Sequence, residues 1–136
     1  MGFFNSLFGS TSGSQTPNKN NINWIPLVQA DQLTELINRS SEKPQLIFKH
    51  STSCGISSMV IRMFESNYPF TADQADAYYL DLLSYRSISN LVADTFGVRH
   101  QSPQLLVITN GKVVAHDSHG AITDLDLSQW IKTDAV

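Results

Sequence analysis

Leu46-Ile47-Phe48-Lys49-His50-Ser51-Thr52-Ser53-Cys54-Gly55-Ile56-Ser57 passes from one structural period to another over a short span. Gln45 to Lys49 reads as a buried strand, and Ser51-Thr52-Ser53 as a tight polar loop. From Cys54 to Asn67 the apolar residues fall at Ile56, Met59, Val60, Met63 and Phe64, the spacing of a helix with one core-facing stripe. Pro69 marks the end of that helix. Cys54 therefore stands at the junction of loop and helix. A thiol at a helix start meets the positive end of the helix dipole, which favours the thiolate, the nucleophilic form. It is also the only cysteine in the chain. No internal disulfide can form, and any thiol chemistry needs a sulfur from another molecule.

Further elements follow on both sides. Trp24-Ile25-Pro26-Leu27-Val28 reads as a first strand, with Pro26 confining it to an edge or a short pairing. Residues 30–39 carry Leu33, Leu36 and Ile37 on one face, with Asp31 in the first turn, and predict a helix. After the core segment, Ala77 to Leu83 is the next strand. Ser87 to Phe96 is a helix with Ile88, Leu91, Val92 and Phe96 on one side and Gly97 as its stop. Leu105 to Thr109 and Lys112 to His116 flank Asn110-Gly111, a strong signal for a two-residue hairpin because a type I′ turn needs positive φ at both positions. Leu125 to Ile131 is expected to close the chain as a helix. The order is β-α-β-α-β-α-β-β-α. Strand-helix-strand units imply parallel pairs with right-handed crossovers, and the final hairpin must be antiparallel. The expectation is an α/β domain with a mixed sheet and helices on both faces.

A chain of 136 residues is long enough for one domain with a substantial core. The formal charge is −3, and Lys19 is the only charge in residues 1–21, so the remainder is more acidic than the whole. That excludes the basic footprint of a nucleic-acid-binding domain. No apolar run reaches the roughly 18–20 residues of a membrane-spanning helix. A single cysteine excludes a disulfide scaffold and fits a reducing, cytoplasmic setting. Residues 1–21 are read as a flexible tail and residues 22–136 as the folded domain. Residues 9–21 are rich in Ser, Gly, Asn and Thr and cannot bury enough apolar surface to order themselves. Ahead of them, Met1-Gly2 with Ser6 matches the loose myristoylation pattern, and Phe3, Phe4, Leu7 and Phe8 could form a short apolar face.

With these elements in order, the chain resembles the thioredoxin fold over about residues 22–132. The cysteine at the start of the second helix and Ser102-Pro103 just before the hairpin carry the likeness. So does the stretch from Phe96-Gly97-Val98-Arg99-His100-Gln101-Ser102-Pro103 through Gln104-Leu105-Leu106-Val107-Ile108-Thr109-Asn110-Gly111-Lys112-Val113-Val114. The words around Ser53-Cys54 and Ile56-Ser57-Ser58 look most like the YtxJ-like monothiol bacilliredoxins, a bacterial family associated with bacillithiol. Most thioredoxins carry Cys-x-x-Cys, whereas this chain has Cys54-Gly55-Ile56-Ser57, with Ser57 where a resolving cysteine would stand. The family's usual motif has proline after the cysteine; Gly55 stands there instead and resembles the Cys-Gly-x-Ser of monothiol glutaredoxins.

The resemblance makes Cys54 the catalytic residue. It makes Lys49, Ser53, Gly55, Ile56, Ser57, Gln101, Ser102 and Pro103 candidates for binding the thiol or substrate. Ser57, one helical turn beyond Cys54, could donate to the thiolate. Lys49 could add positive charge if it points to the site, and otherwise is a solvated strand-end lysine. The Ser102-Pro103 peptide is expected to be cis, which leaves the Ser102 backbone free to pair with an extended substrate. His50, His100, His116 and His119 have no metal-ligand spacing. The leading reading is a monomeric monothiol oxidoreductase that removes a low-molecular-weight thiol, bacillithiol, from S-thiolated client proteins. It needs no tightly bound cofactor and no metal, and no nucleic-acid or membrane partner. Two alternatives stand beside it: a carrier of a [2Fe–2S] cluster held with small thiols, as in monothiol glutaredoxins, and a thioredoxin-fold adaptor with an inert cysteine.

Overall fold

The computed structural model describes residues 22–132; the tail expected over residues 1–21 lies outside the described residues. The elements are β1 (Ile25–Pro26), α1 (Asp31–Arg39), β2 (Gln45–His50), α2 (Gly55–Ser66), β3 (Asp76–Asp81), α3 (Arg86–Phe96), β4 (Gln104–Thr109) and β5 (Lys112–Ser118). Two 3-10 turns follow, His119–Asp124 and Leu127–Gln129. The five strands form one sheet in the order β1-β3-β2-β4-β5. β1 and β2 both run parallel to β3, and β4 runs antiparallel to β2 and β5. Pro26 sits in the short edge strand, where its missing N–H costs no ladder bond.

Both faces of the sheet are covered, which explains why β2 is buried at every position instead of alternating. Leu46 and Phe48 point to one face, where Val60, Ile61 and Phe64 of α2 pack with Ile122 and Leu127 of the 3-10 turns. Ile47, Tyr78, Leu80, Leu106 and Ile108 point to the other, against Leu33 and Leu36 of α1 and Ile88 and Val92 of α3. Asn110 (φ 52°) and Gly111 (φ 77°) make the two-residue turn with positive φ at both positions. Ser40, at the end of α1, fastens it: Asn110 N–H donates to the Ser40 carbonyl (2.8 Å) and Gly111 N–H to its Oγ (2.8 Å).

Two expectations need correcting. The last element is not an α-helix over Leu125–Ile131 but a single 3-10 turn, Leu127–Gln129, preceded by the turn His119–Asp124. Asp126 caps the second turn by accepting from Ser128 N–H (3.2 Å), which satisfies the local donors without a longer helix. The core face of α2 also differs. Ser57, Val60, Ile61 and Phe64 are buried, while Ile56 (60% exposed), Met59 (49%) and Met63 (45%) lie outside. Apolar residues occupy both flanks of this helix, so their spacing alone does not select the inner one.

Candidate functional site

The site lies at the end of the sheet where β2 finishes and β4 begins. Lys49 of β2 pairs with Gln104 of β4, the residue after Pro103. The Ser102-Pro103 peptide is cis. His119 N–H donates to the Pro103 carbonyl (2.9 Å), tying this loop to the first 3-10 turn. Beyond β2, Cys54 N–H donates to the Ser51 carbonyl (3.2 Å), which closes the loop that carries the cysteine.

Cys54 is the N-cap residue of α2, in extended conformation (φ −107°, ψ 120°), and its carbonyl accepts the first helical hydrogen bond from Ser58 N–H (3.0 Å). Its side chain makes no capping bond, and no acidic residue stands in the first turn. The thiol is free and half-buried. The sulfur therefore stands where a helix of twelve residues presents its unpaired amides, a setting that stabilises an anion. Gly55 and Ile56 follow it as exposed residues of the first turn, and a Cβ on Gly55 would meet open space. Exposed Ser53 lies 3.4 Å, Oγ to Oγ, from Ser51.

Ser57 is fully buried and its hydroxyl bonds elsewhere than expected. Its Oγ lies 2.7 Å from His50 Nδ1 and accepts from Ser51 N–H (3.2 Å). The hydroxyl thus ties the cysteine loop to the end of β2, in place of the expected donation to the thiolate. His50 is itself buried, 5.6 Å from the Tyr79 ring between centroids. Burial pushes its pKa below the ordinary histidine value, against the opposing charges of Asp81 and Glu65.

Lys49 departs further from expectation. It is neither a solvated lysine nor turned towards α2. Neighbouring residues on a strand point to opposite faces, so His50 faces α2 and Lys49 faces α3. Lys49 is fully buried; its Nζ donates to the Ser89 carbonyl (3.1 Å) and lies 3.2 Å from His100 Nδ1. Burial, then the Arg86 charge, hold its pKa down to about 8. Ser89 Oγ also lies 3.2 Å from His100 Nδ1. Gln101 and Ser102 are half-buried in the loop between His100 and Pro103, and Ser102 Oγ is a buried atom with no hydrogen-bond partner. The sequence places His100, with Gln101, near the Pro103 loop as a polar loop group, but gives no sign that it meets Lys49, nor that His50 meets Ser57. The two-residue period of β2 was the available signal that Lys49 and His50 serve different faces. Among the described residues, no group of three or more His, Cys, Asp or Glu is arranged to hold a metal ion.

This geometry, a lone cysteine at the N-cap of a helix and a cis-proline loop at the same end of a mixed five-stranded sheet, is that of thioredoxin-fold proteins. A family model for the monothiol bacilliredoxin BrxC matches residues 25–127. The chain belongs to the monothiol bacilliredoxin family. A solved structure described as a proposed oxidoreductase with a thioredoxin fold is 33% identical, with a TM-score of 0.64, over 77% of this chain and 90% of that one. Thioredoxin from Trypanosoma brucei brucei is 12% identical (TM-score 0.59; 79% and 87% covered), and thioredoxin from Fasciola hepatica 18% identical (0.58; 73% and 89%). At those identities the likeness shows the fold alone. The family and the fold together mark this bacilliredoxin as a thiol redox protein, with Cys54 as its only thiol.

Proposed function

We propose that the protein removes a low-molecular-weight thiol, bacillithiol, from mixed disulfides on client proteins in the cytoplasm. The Cys54 thiolate attacks the small-thiol sulfur of a client–S–S–R disulfide. The client leaves as a thiolate and takes a proton from water, and Cys54 becomes Cys54–S–S–R. The Cys54 lone pair forms the new S–S bond, and the client sulfur departs with the bonding pair of the old one, so the client is reduced as Cys54 is oxidised. A second R–SH then attacks as its thiolate, giving R–S–S–R and restoring Cys54. Ser57 cannot resolve the adduct, because a hydroxyl forms no disulfide.

The observation that carries this reading is the position of Cys54: a free, half-buried thiol at the N-cap of α2 with no second cysteine anywhere in the chain. The family match over residues 25–127 supports bacillithiol as the small thiol. Intact-mass analysis of the reduced protein with a panel of low-molecular-weight disulfides tests it. One adduct per chain is expected, mapped to Cys54 and fastest with bacillithiol disulfide. An unmodified Cys54, or equal modification of Cys54→Ser, contradicts it.

A further inference from the structure

The α3 side of the site holds a cluster of basic groups that the exchange step does not use. Lys49 is buried and, protonated, has three donors and no acceptor. It can meet His100 Nδ1 only as a donor to the ring's lone pair, so the imidazole carries its proton on Nε2. Ser89 Oγ, on the same nitrogen, fits that tautomer. His100 is half-buried, with Nδ1 turned inward to Lys49 and Ser89; its Nε2–H is thereby fixed as a donor on the opposite edge of the ring.

Arg86 is exposed, is the first residue of α3, and its charge bears on both Lys49 and His100. The unpaired amides of the first turn of α3 belong to the same end. The acid at this end is Asp81, whose carboxylate accepts from Leu83 N–H, Ser84 N–H and Ser84 Oγ at the turn into α3; its charge bears on His50. The ion pairs present among the described residues, Arg39 and Lys43 with Asp76, lie at the far end of the sheet, where β2 and β3 begin. The cluster therefore concentrates positive charge in an otherwise acidic protein. It does so at the end of β2 that leads to Cys54, three residues before Pro103.

We propose that Arg86 and His100, backed by Lys49, form a subsite for a carboxylate on the small thiol that exchanges with Cys54. The proposal rests on the exchange reading above and adds the residues that receive the charged end of the thiol. Arg86 supplies a fork suited to a carboxylate, and His100 a donor of fixed direction. Lys49 is a positioning residue: it sets the tautomer of His100 and adds field from behind without touching the ligand.

The test uses the full chain and two simple disulfides, dianionic dithiodiglycolate and neutral hydroxyethyl disulfide. In each case the Cys54 thiolate attacks one sulfur, a Cys54–S–S–R bond forms, and R–S⁻ leaves and takes a proton from water. The rate of adduct formation by mass is read as the ratio of anionic to neutral probe. The ratio is expected to fall by about threefold or more in Arg86→Gln and in His100→Phe at low ionic strength, and to shrink with added salt in the wild type. Lys112→Gln, an exposed charge at the opposite end of β5, is expected to leave the ratio at its wild-type value. As a check that does not depend on those variants folding, NMR titration of Cys54→Ser with thioglycolate should give saturable shifts at His100 and Arg86. An unchanged ratio in both variants, an equal fall in Lys112→Gln, or no shift at His100 overturns the subsite while leaving exchange at Cys54 standing. Failure of Cys54 to react with either disulfide removes the exchange reading and the subsite with it.

Discussion

At the residue scale, the site depends on two neighbours, Lys49 and His50, that face opposite sides of the same strand. Ser57 is the partner of His50. Ser57→Ala removes the group that pairs with His50 Nδ1 and accepts the Ser51 N–H, and leaves both without that partner. Orphaning buried polar groups costs roughly 1–3 kcal/mol, so the variant should lose about that much stability in urea unfolding. Full retention of stability would show that the clamp is not structural. Lys49 gives a prediction in pH. Its folded pKa of about 8 lies below the ordinary 10.5. Between those values the unfolded chain holds the proton more tightly than the folded one, so stability rises with pH, by up to about 1.4 kcal/mol per pH unit. The buried Tyr68 and Tyr78 and the half-buried Tyr79, with raised pKa values, oppose this above about pH 10. The clean comparison is wild type minus Lys49→Met from pH 8 to 9.5, where the wild type should gain stability relative to the variant. Parallel curves would contradict the burial argument. His50 and His100, both held below the ordinary histidine value, give the same sign in acid: stability falls as pH drops below about 6.5.

At the scale of elements, the start of α2 can be tested through Gly55. Cys54 is extended, the conformation that a residue before proline prefers, and proline is favoured at the first helical position. A Cβ at residue 55 meets nothing within 4 Å. Gly55→Pro should therefore raise stability by about 0.4–1 kcal/mol, measured by the urea midpoint, chiefly by restricting the unfolded chain. A loss of stability would mean that the helix start needs the glycine. This element also shows where sequence reading stops. The helix, its start at Cys54 and its end before Pro69 were legible from apolar spacing and one proline. Its inner face was not, because Ile56, Met59 and Met63 repeat the period of the buried set on a neighbouring stripe. The buried face also carries Ser57, hydrogen-bonded with His50, a polar contact between elements that hydrophobic spacing cannot report. The closing segment failed for a related reason. Leu127 and Ile131 do pack into the core, but Asp126 caps a turn that holds them without a full helix.

At the scale of the molecule, the succession of elements through β5, the antiparallel hairpin and the loop around Pro103 were readable because each rests on a local signal: apolar periodicity, Asn110-Gly111, and proline before a strand. The spatial order of the strands was not, because it is set by contacts between distant segments. The candidate site was readable in its chain-local part, Cys54 to Ser57. It was hidden wherever distant segments meet, as Lys49 meets Ser89 and His100. The fold gathers one thiol, a helix start and a proline loop at one end of the sheet, and its single cysteine makes the second sulfur a foreign one. The most direct test is transfer from a client. The reduced protein is mixed with a bacillithiolated client protein, and both masses are followed. The account predicts that the client loses its small thiol as Cys54 gains one, mole for mole, and that Cys54→Ser gains none. A client that keeps its adduct, or loses it equally to Cys54→Ser, would contradict the account.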